Sequence, residues 1–361
     1  MNNLEMIYEL VTTICADEMN ELKDYISEKS ESEIKATNAL HRILYRERTQ
    51  HASHCPHCGS LSFVKNGKTK TMRQKYICKD CQKSFSDTTK SIVQSTKKSY
   101  QVWHRFIEEM MSGQSLRTIS SKVDISVTTA FHWRHKAMEV LTQYQTNEIL
   151  SGEIQMDETY FLLNFKGIKK NSKNPLMPRK AKKRGTPAIK RGISNEHVCV
   201  LVAMDELDQM ITKLIGQGNP LIQDFDKALA NRIKPNGTIV TDSKSAYQEV
   251  SRKYQCTLIQ IPSGFHTLED YNLGTLNGIH GEMKQWFQKF KGVSTRHLEK
   301  YLSWFRFEKY LKYQIEPEYR QKHSFRYIVS NESSALVNAI SKKPFPVDIY
   351  KPYPTLNQYF A

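Results

Sequence analysis

Two aspartates in strand-like surroundings are the residues of this chain whose chemistry is easiest to name. The first lies in Gly152–Phe161, GEIQMDETYF, where Ile154 and Met156 share one face by the two-residue period and Asp157 stands at the strand's end on the other, beside Glu158, Tyr160 and Phe161. The second ends the run GTIVTD at Asp242, before Ser243-Lys244-Ser245 breaks the pattern. Two strands that each deliver a carboxylate suit one shared metal site. Hard divalent cations take oxygen ligands, and two of them about 4 Å apart activate a nucleophile and stabilise a leaving oxygen in phosphoryl transfer. The competing account makes both aspartates strand-end caps or turn formers. A third group would come from LGTLNGIHGEMKQWFQKF, Leu273 to Phe290, which reads as a helix. At about 100° per residue Asn277, His280 and Lys284 share a face, and Glu282 is turned roughly 140° from Asn277.

A second chemistry is carried by cysteine. Cys55-Pro56-His57-Cys58 and Cys78-Lys79-Asp80-Cys81 are separated by nineteen residues. Each CxxC turns two thiolates toward one ion, and two such knuckles close a tetrahedral Zn²⁺ shell with no open position, which makes the site structural. Residues 51–90 then read as a zinc ribbon, with Val64–Lys68 as a hairpin turn and Gln74–Ile77 as the returning strand. His51, His54 and His57 are bystanders beside four well-spaced thiolates. Cys15, Cys199 and Cys256 read as apolar core residues. Seven basic side chains from Lys65 to Lys83 allow a nucleic-acid contact, and a purely architectural role competes with it.

The elements that must position these groups follow from charge and periodicity. The chain of 361 residues has a formal charge of +16 and a pI near 9.4, which points to a polyanion, most simply nucleic acid. A membrane surface would satisfy the same charge, but no apolar run is long enough to span a bilayer, and the N-terminus is acidic and helical in pattern. Residence in the cytoplasm, on the nucleoid, is the expectation. Residues 1–50 read as a helical pair for packing or dimerisation. Residues 99–145 suggest a helix-turn-helix: Leu116, Ile119 and Val123 line the first helix, Asp124-Ile125 turn, and Ser126 caps the second. On that second helix Thr128, Thr129, His132, Arg134 and Lys136 would face a DNA groove. Residues 151–315 run three strands, helix, strand, helix, strand and further helices, an α/β core with a mixed sheet of ribonuclease H-like type. Inserted in it, residues 165–192 hold eleven Lys or Arg and no acid. This basic loop, with Lys180, Lys182, Lys183 and Arg184 at its centre, is expected to order on a phosphate backbone. Tyr301, Trp304, Phe305 and Phe307 read as core, and residues 316–361 as a polar tail, disordered or used for interaction.

The CxxC pairs of Cys55 to Cys81, the DET of Asp157 to Thr159, the TDS of Thr241 to Ser243 and the helix from Thr275 to Lys284 together resemble the DDE-type transposases of bacterial insertion sequences, in the zinc-ribbon-bearing group related to eukaryotic Merlin elements. The resemblance takes in most of residues 50–310. It implies an enzyme with Mg²⁺ or Mn²⁺ held by Asp157, Asp242 and a third residue. Such an enzyme binds terminal inverted repeats, cleaves at the element ends and joins the freed 3′ hydroxyl to target DNA, as a homodimer or higher oligomer. The third acid of that pattern falls after about 34 intervening residues beyond Asp242, where this chain has Asn277. An amide oxygen ligates a hard ion without contributing charge. Some similar members carry Asn there with a downstream lysine, which makes Lys284 a phosphate-facing partner and lets His280 orient a nucleophile or phosphate. Glu282 is the alternative ligand if the helix bends at Gly278 or Gly281. The rival reading is a DNA-binding regulator or domesticated transposase that has lost catalysis, with Asn277 as the lesion. A hydrolytic nuclease would share the metal site.

Overall fold

The computed structural model of the chain describes residues 54–144 other than 71, 148–168, 178–179, 186–333 other than 266, 340 and 342–353, with a few residues between 19 and 28. The expected N-terminal helical pair lies almost wholly outside the described residues, and so do Cys15, Lys180, Lys182, Lys183 and Arg184. The chain divides into two compact units, one of Met1–Ser112, Lys122–Asp124 and His323–Glu332, the other of Gly113–Ser121, Ile125–Lys322 and Ser333–Ala361.

In the first unit, β1 (Phe63–Lys68), β2 (Gln74–Cys78) and β3 (Ser84–Ser86) form an antiparallel sheet. Phe63, Tyr76 and Phe85 pack their rings against one another and against Cys55 and Cys78. Asn66-Gly67 is not the hairpin turn that the sequence suggests. The strand runs through it to Lys68, Gly67 takes φ +66°, and the register shifts between Lys65 and Lys68. Glycine supports a bulge there for the same reason it supports a turn, its tolerance of positive φ. The reversal comes later, where Thr69 N–H donates to the Arg73 carbonyl at 2.8 Å. Helix α1 (Tyr100–Met111) starts at Ser99, whose hydroxyl accepts from Val102 N–H, and it buries Trp103, Phe106, Ile107 and Met110.

The helices α2 (Leu116–Val123) and α3 (Val127–Leu141) follow. Asp124 takes φ +53° between them, and the Ser126 hydroxyl accepts from Thr129 N–H at 3.0 Å, the cap expected from sequence. In the second unit β4 (Glu153–Leu162), β5 (His197–Asp205), β6 (Met210–Gln217), β7 (Thr238–Asp242) and β8 (Thr257–Ile261) form one sheet in the order β6-β5-β4-β7-β8. The first three strands are antiparallel to one another, and β4–β7 and β7–β8 are parallel. This is the expected mixed, ribonuclease H-like sheet. β5 is the continuous apolar run HVCVLVAM because it is covered on both faces.

One face of the sheet, with Ile154 and Met156, packs on α4 (Ile222–Leu229) and α5 (Ala246–Tyr254) through Phe225, Leu229, Tyr247 and Val250. The other face carries α6 (Gly274–Gln288), which docks on β4 by Leu276 N–H donating to Gln155 Oε1 at 3.2 Å and by Phe287 against Phe161. Helix α7 (Leu298–Gln314) lies beside α6, with Trp286 and Trp304 edge to face at 5.2 Å. Tyr301, Trp304, Phe305 and Phe307 are all buried, as expected.

Two expectations are corrected by this packing. Helix α3 lies along α7 and is not a free reading head: Ala130, Trp133, Ala137, Met138 and Leu141 are buried, and α3 belongs to a different unit from α1. Arg134, expected to face DNA, is 2% exposed. Its Nη2 donates to the Gln114 carbonyl at 2.6 Å, and its guanidinium lies over the rings of Phe290 and Trp304. The described part of the expected tail is also structured. Helix α8 (Pro317–Ser330) buries Ser324, Phe325, Ile328 and Val329. Further on, Phe345 meets Phe165 at 6.0 Å, and the Tyr353 hydroxyl donates to buried Glu196 at 2.8 Å while accepting from Arg179 Nε at 3.0 Å.

Candidate active site

The parallel pairing of β4 with β7 brings the two aspartates together. Glu153 stands opposite Thr238, Ile154 opposite Ile239 and Gln155 opposite Val240. The same register carried two residues further sets Asp157 level with Asp242 on the neighbouring strand, and the two-residue period gives both the same facing. Asp157 is not the strand end that the sequence suggests. β4 continues to Leu162 because β5 pairs with it as far as His197, whereas β7 stops at Asp242. The aspartate therefore stands mid-strand, where β4 has just lost its partner on one side.

Helix α6 closes over that face. His280 Nδ1 lies 3.7 Å from Asp157 Oδ2, and Asp157 Oδ1 accepts from Glu158 N–H at 2.7 Å. Burial, reinforced by the nearby charges of Glu158 and Asp242, pushes the Asp157 carboxyl up to about 7. Burial and the neighbouring Lys284 ammonium push the His280 imidazole down to about 4. The contact at 3.7 Å therefore joins a neutral imidazole to a carboxyl near its titration point and is not an ion pair. His280 Nε2 is buried and has no hydrogen-bond partner among the described residues. Asn277 stands one turn before His280 and Lys284 one turn after it, both exposed. Glu282, the alternative third ligand, is drawn to α7, where it pairs with Lys309 and, at 3.4 Å, with Lys312.

The donors present fit a hard divalent cation. Carboxylates on two strands come level by register, and the charges of Glu158 and Asp242 add to burial in pushing Asp157 upward, a load that a bound cation would relieve. The shell is not closed by protein acids alone. Among the described residues, Cys55, Cys58, Cys78 and Cys81 form the one group of three or more His, Cys, Asp or Glu whose ligand atoms all lie within 4.8 Å of one another. In that group Cys55 Sγ is 3.8 Å from Cys81 Sγ and Cys58 Sγ 3.6 Å from Cys78 Sγ, spacings that suit tetrahedral zinc.

Sequence reasoning passed over Glu158 and Lys244. Lys244 Nζ is 2.9 Å from Glu158 Oε1 and 3.4 Å from the Tyr160 hydroxyl, and Lys244 N–H donates to Asp242 Oδ1 at 3.1 Å. Their signal was present, since each sits within two residues of an aspartate, but a pairing across 86 positions has no local signature. Beyond Lys284 the α6 face opens into a cavity of about 710 Å³ that Phe161, Lys166, Phe287 and Lys291 help to line. Of the other residues expected to meet DNA, Thr128 is exposed at the start of α3, and Thr129, His132 and Lys136 are half-buried. Burial lowers both the His132 imidazole and the Lys136 ammonium from their ordinary values. Among the described residues no helix is long and apolar enough to cross a membrane.

Comparison with known proteins finds similarity over the part of the chain that carries this site. The description "ISXO2-like transposase domain" matches residues 149–309. A protein of the transposable element ISH50 from Halobacterium salinarum, itself uncharacterised, is 23% identical over 295 residues, covering 79% of this chain and 91% of its own. Among solved structures, a pre-cleavage Mos1 transpososome aligns at 10% identity over 64% of this chain and 79% of its own, with a TM-score of 0.24. A simian T-cell lymphotropic virus intasome aligns at 10% identity over 56% and 68%, with a TM-score of 0.28. Residues 149–309, the stretch that matches the ISXO2-like transposase domain, hold Asp157, Asp242, Asn277 and His280.

Proposed function

We propose that the chain binds the terminal inverted repeats of its element, cleaves the DNA there and joins the freed 3′ hydroxyl to target DNA. The observation that carries this reading is the parallel β4–β7 register, which two residues past Gln155 and Val240 sets Asp157 level with Asp242, with His280 closing from α6. Asp157 and Asp242 would hold Mg²⁺ or Mn²⁺, and Asn277 would add an amide oxygen. Bound there, the cations supply electrostatic stabilisation of the phosphoryl-transfer transition state. His280, neutral at physiological pH, accepts or donates a hydrogen bond without adding charge, and it orients the attacking hydroxyl or the scissile phosphate. Lys284, exposed one turn along, neutralises a neighbouring phosphate. The four cysteines hold a structural Zn²⁺, and the ribbon, the exposed start of α3 and the basic loop grip the DNA backbone, with two or more copies acting on paired ends.

The direct test is cleavage of a supercoiled plasmid carrying the terminal repeats, with Mg²⁺ present. Asp157→Ala and Asp242→Ala should each lose at least about a thousandfold in strand cleavage while still binding the repeats. Undiminished cleavage by Asp157→Ala removes the assignment. A second reading, a DNA-binding regulator without catalysis, is favoured by one observation: Asn277 carries no charge, and Glu282, which could replace it, is engaged by Lys309 and Lys312. If the parent binds repeats tightly and neither it nor Asn277→Asp nicks them, that second reading holds.

A further inference from the structure

We infer that Glu158 and Lys244 are a positioning pair that sets the separation of Asp157 and Asp242, an inference that rests on the proposed reading of those aspartates as cation ligands. Each aspartate has one oxygen held by a backbone amide. Asp157 Oδ1 accepts from Glu158 N–H at 2.7 Å, and Asp242 Oδ1 accepts from Lys244 N–H at 3.1 Å. The residues that own those two amides then meet through their side chains, Lys244 Nζ lying 2.9 Å from Glu158 Oε1. The result is a circuit of carboxylate, amide, side-chain pair, amide and carboxylate, which ties the two strands together past the end of their backbone pairing at Gln155 and Val240.

The circuit is held from several directions. The Glu158 side chain is 3% exposed and Lys244 25%. Lys244 Nζ also donates to the Tyr160 hydroxyl at 3.4 Å and lies 6.0 Å from the centre of the Phe225 ring. Gln260 Nε2 on β8 donates to the carbonyls of both Asp242 and Lys244, at 3.1 and 3.0 Å, and so fixes the backbone between ligand and strut. By strand alternation Glu158 points to the α4–α5 face, away from His280. It is thus a strut beneath the site, its charge neutralised by Lys244, and it does not compete for the cation. Breaking an ion pair that served only the fold would leave the aspartates' affinity for a cation untouched. Supporting groups of this kind tune metal affinity by about 10- to 100-fold.

The experiment is a Mn²⁺ titration of the full, zinc-loaded chain without DNA, read by electron paramagnetic resonance of free Mn²⁺, paired with the Mg²⁺ dependence of plasmid cleavage. Glu158→Gln and Lys244→Met should each weaken Mn²⁺ binding by about 10- to 100-fold and raise the Mg²⁺ needed for half-maximal cleavage in proportion. The double variant should be no worse than either single change, because one strut is broken once, and Lys244→Arg should restore most of the affinity. Where Glu158→Gln does not fold, Glu158→Asp, which keeps the charge and shortens the strut, carries the same test. If both variants bind Mn²⁺ as the parent does while Asp157→Asn has lost it, the pair is only structural and the inference falls, with the reading of the site intact. If Asp157→Asn itself binds Mn²⁺ as the parent does, the reading of the site falls and this inference with it.

Discussion

At the scale of single residues, the site is defined by a carboxyl kept under electrostatic load. Asp157 has an ordinary value of 3.8 and is pushed up to about 7, first by burial and then by Glu158 and Asp242. In the metal-free chain the folded state therefore holds a proton that the unfolded state has released. Stability is full below about pH 4 and is lost as pH rises through about 7. Asp157→Asn removes that load, so thermal unfolding of the metal-free variant should show it more stable than the parent at pH 8, by about 1–3 kcal/mol, with the gap closing at pH 4. Mn²⁺ added at pH 8 should raise the parent's midpoint and leave the variant's unchanged. Residue types announced this much: the acids, Asn277 and His280 could be picked out by spacing. Arg134 was misjudged because a basic side chain on an amphipathic helix reads as solvent-facing, while the guanidinium here is satisfied by the Gln114 carbonyl and two aromatic faces.

At the scale of elements, α6 is the piece that carries function against its own stability. Gly278 and Gly281 lie exposed in its interior, and a Cβ added at either meets nothing within 4 Å. Helical glycine costs about 1 kcal/mol relative to alanine. Gly278→Ala and Gly281→Ala should each raise stability by roughly that amount, measured by thermal melting. Because the two glycines flank His280, the same changes should lower plasmid cleavage, which separates a surface kept bare for DNA from a merely weak helix. Most elements of the second unit were legible in the sequence. Strands such as 197–205 declare themselves by unbroken apolar runs, and α4 by Phe225 and Leu229 at helical spacing. The ribbon's turn was not, because Asn-Gly serves a bulge as well as a hairpin and only the cross-strand partner decides. Helix α8 escaped notice because just four of its fourteen residues are buried, too few to print a periodic stripe.

At the scale of the whole molecule, the two compact units draw on different sources of stability. The ribbon has a small core of Phe63, Tyr76 and Phe85 around four sulfurs, and a site of that kind folds with its ion. The second unit has a five-stranded sheet buried on both faces and needs no ion to fold. A strong zinc chelator should therefore open residues 54–90 to amide exchange and proteolysis while the strands of the sheet keep their protection, as followed by hydrogen exchange with mass spectrometry.

The bond from Tyr353 to Glu196 has a practical corollary. A buried carboxylate near the middle of the chain obtains its hydroxyl donor from a residue close to the last ones described, and Arg179, which flanks the basic loop, leans on the same phenol. A change at this phenol is therefore felt 157 positions earlier, where the chain enters β5.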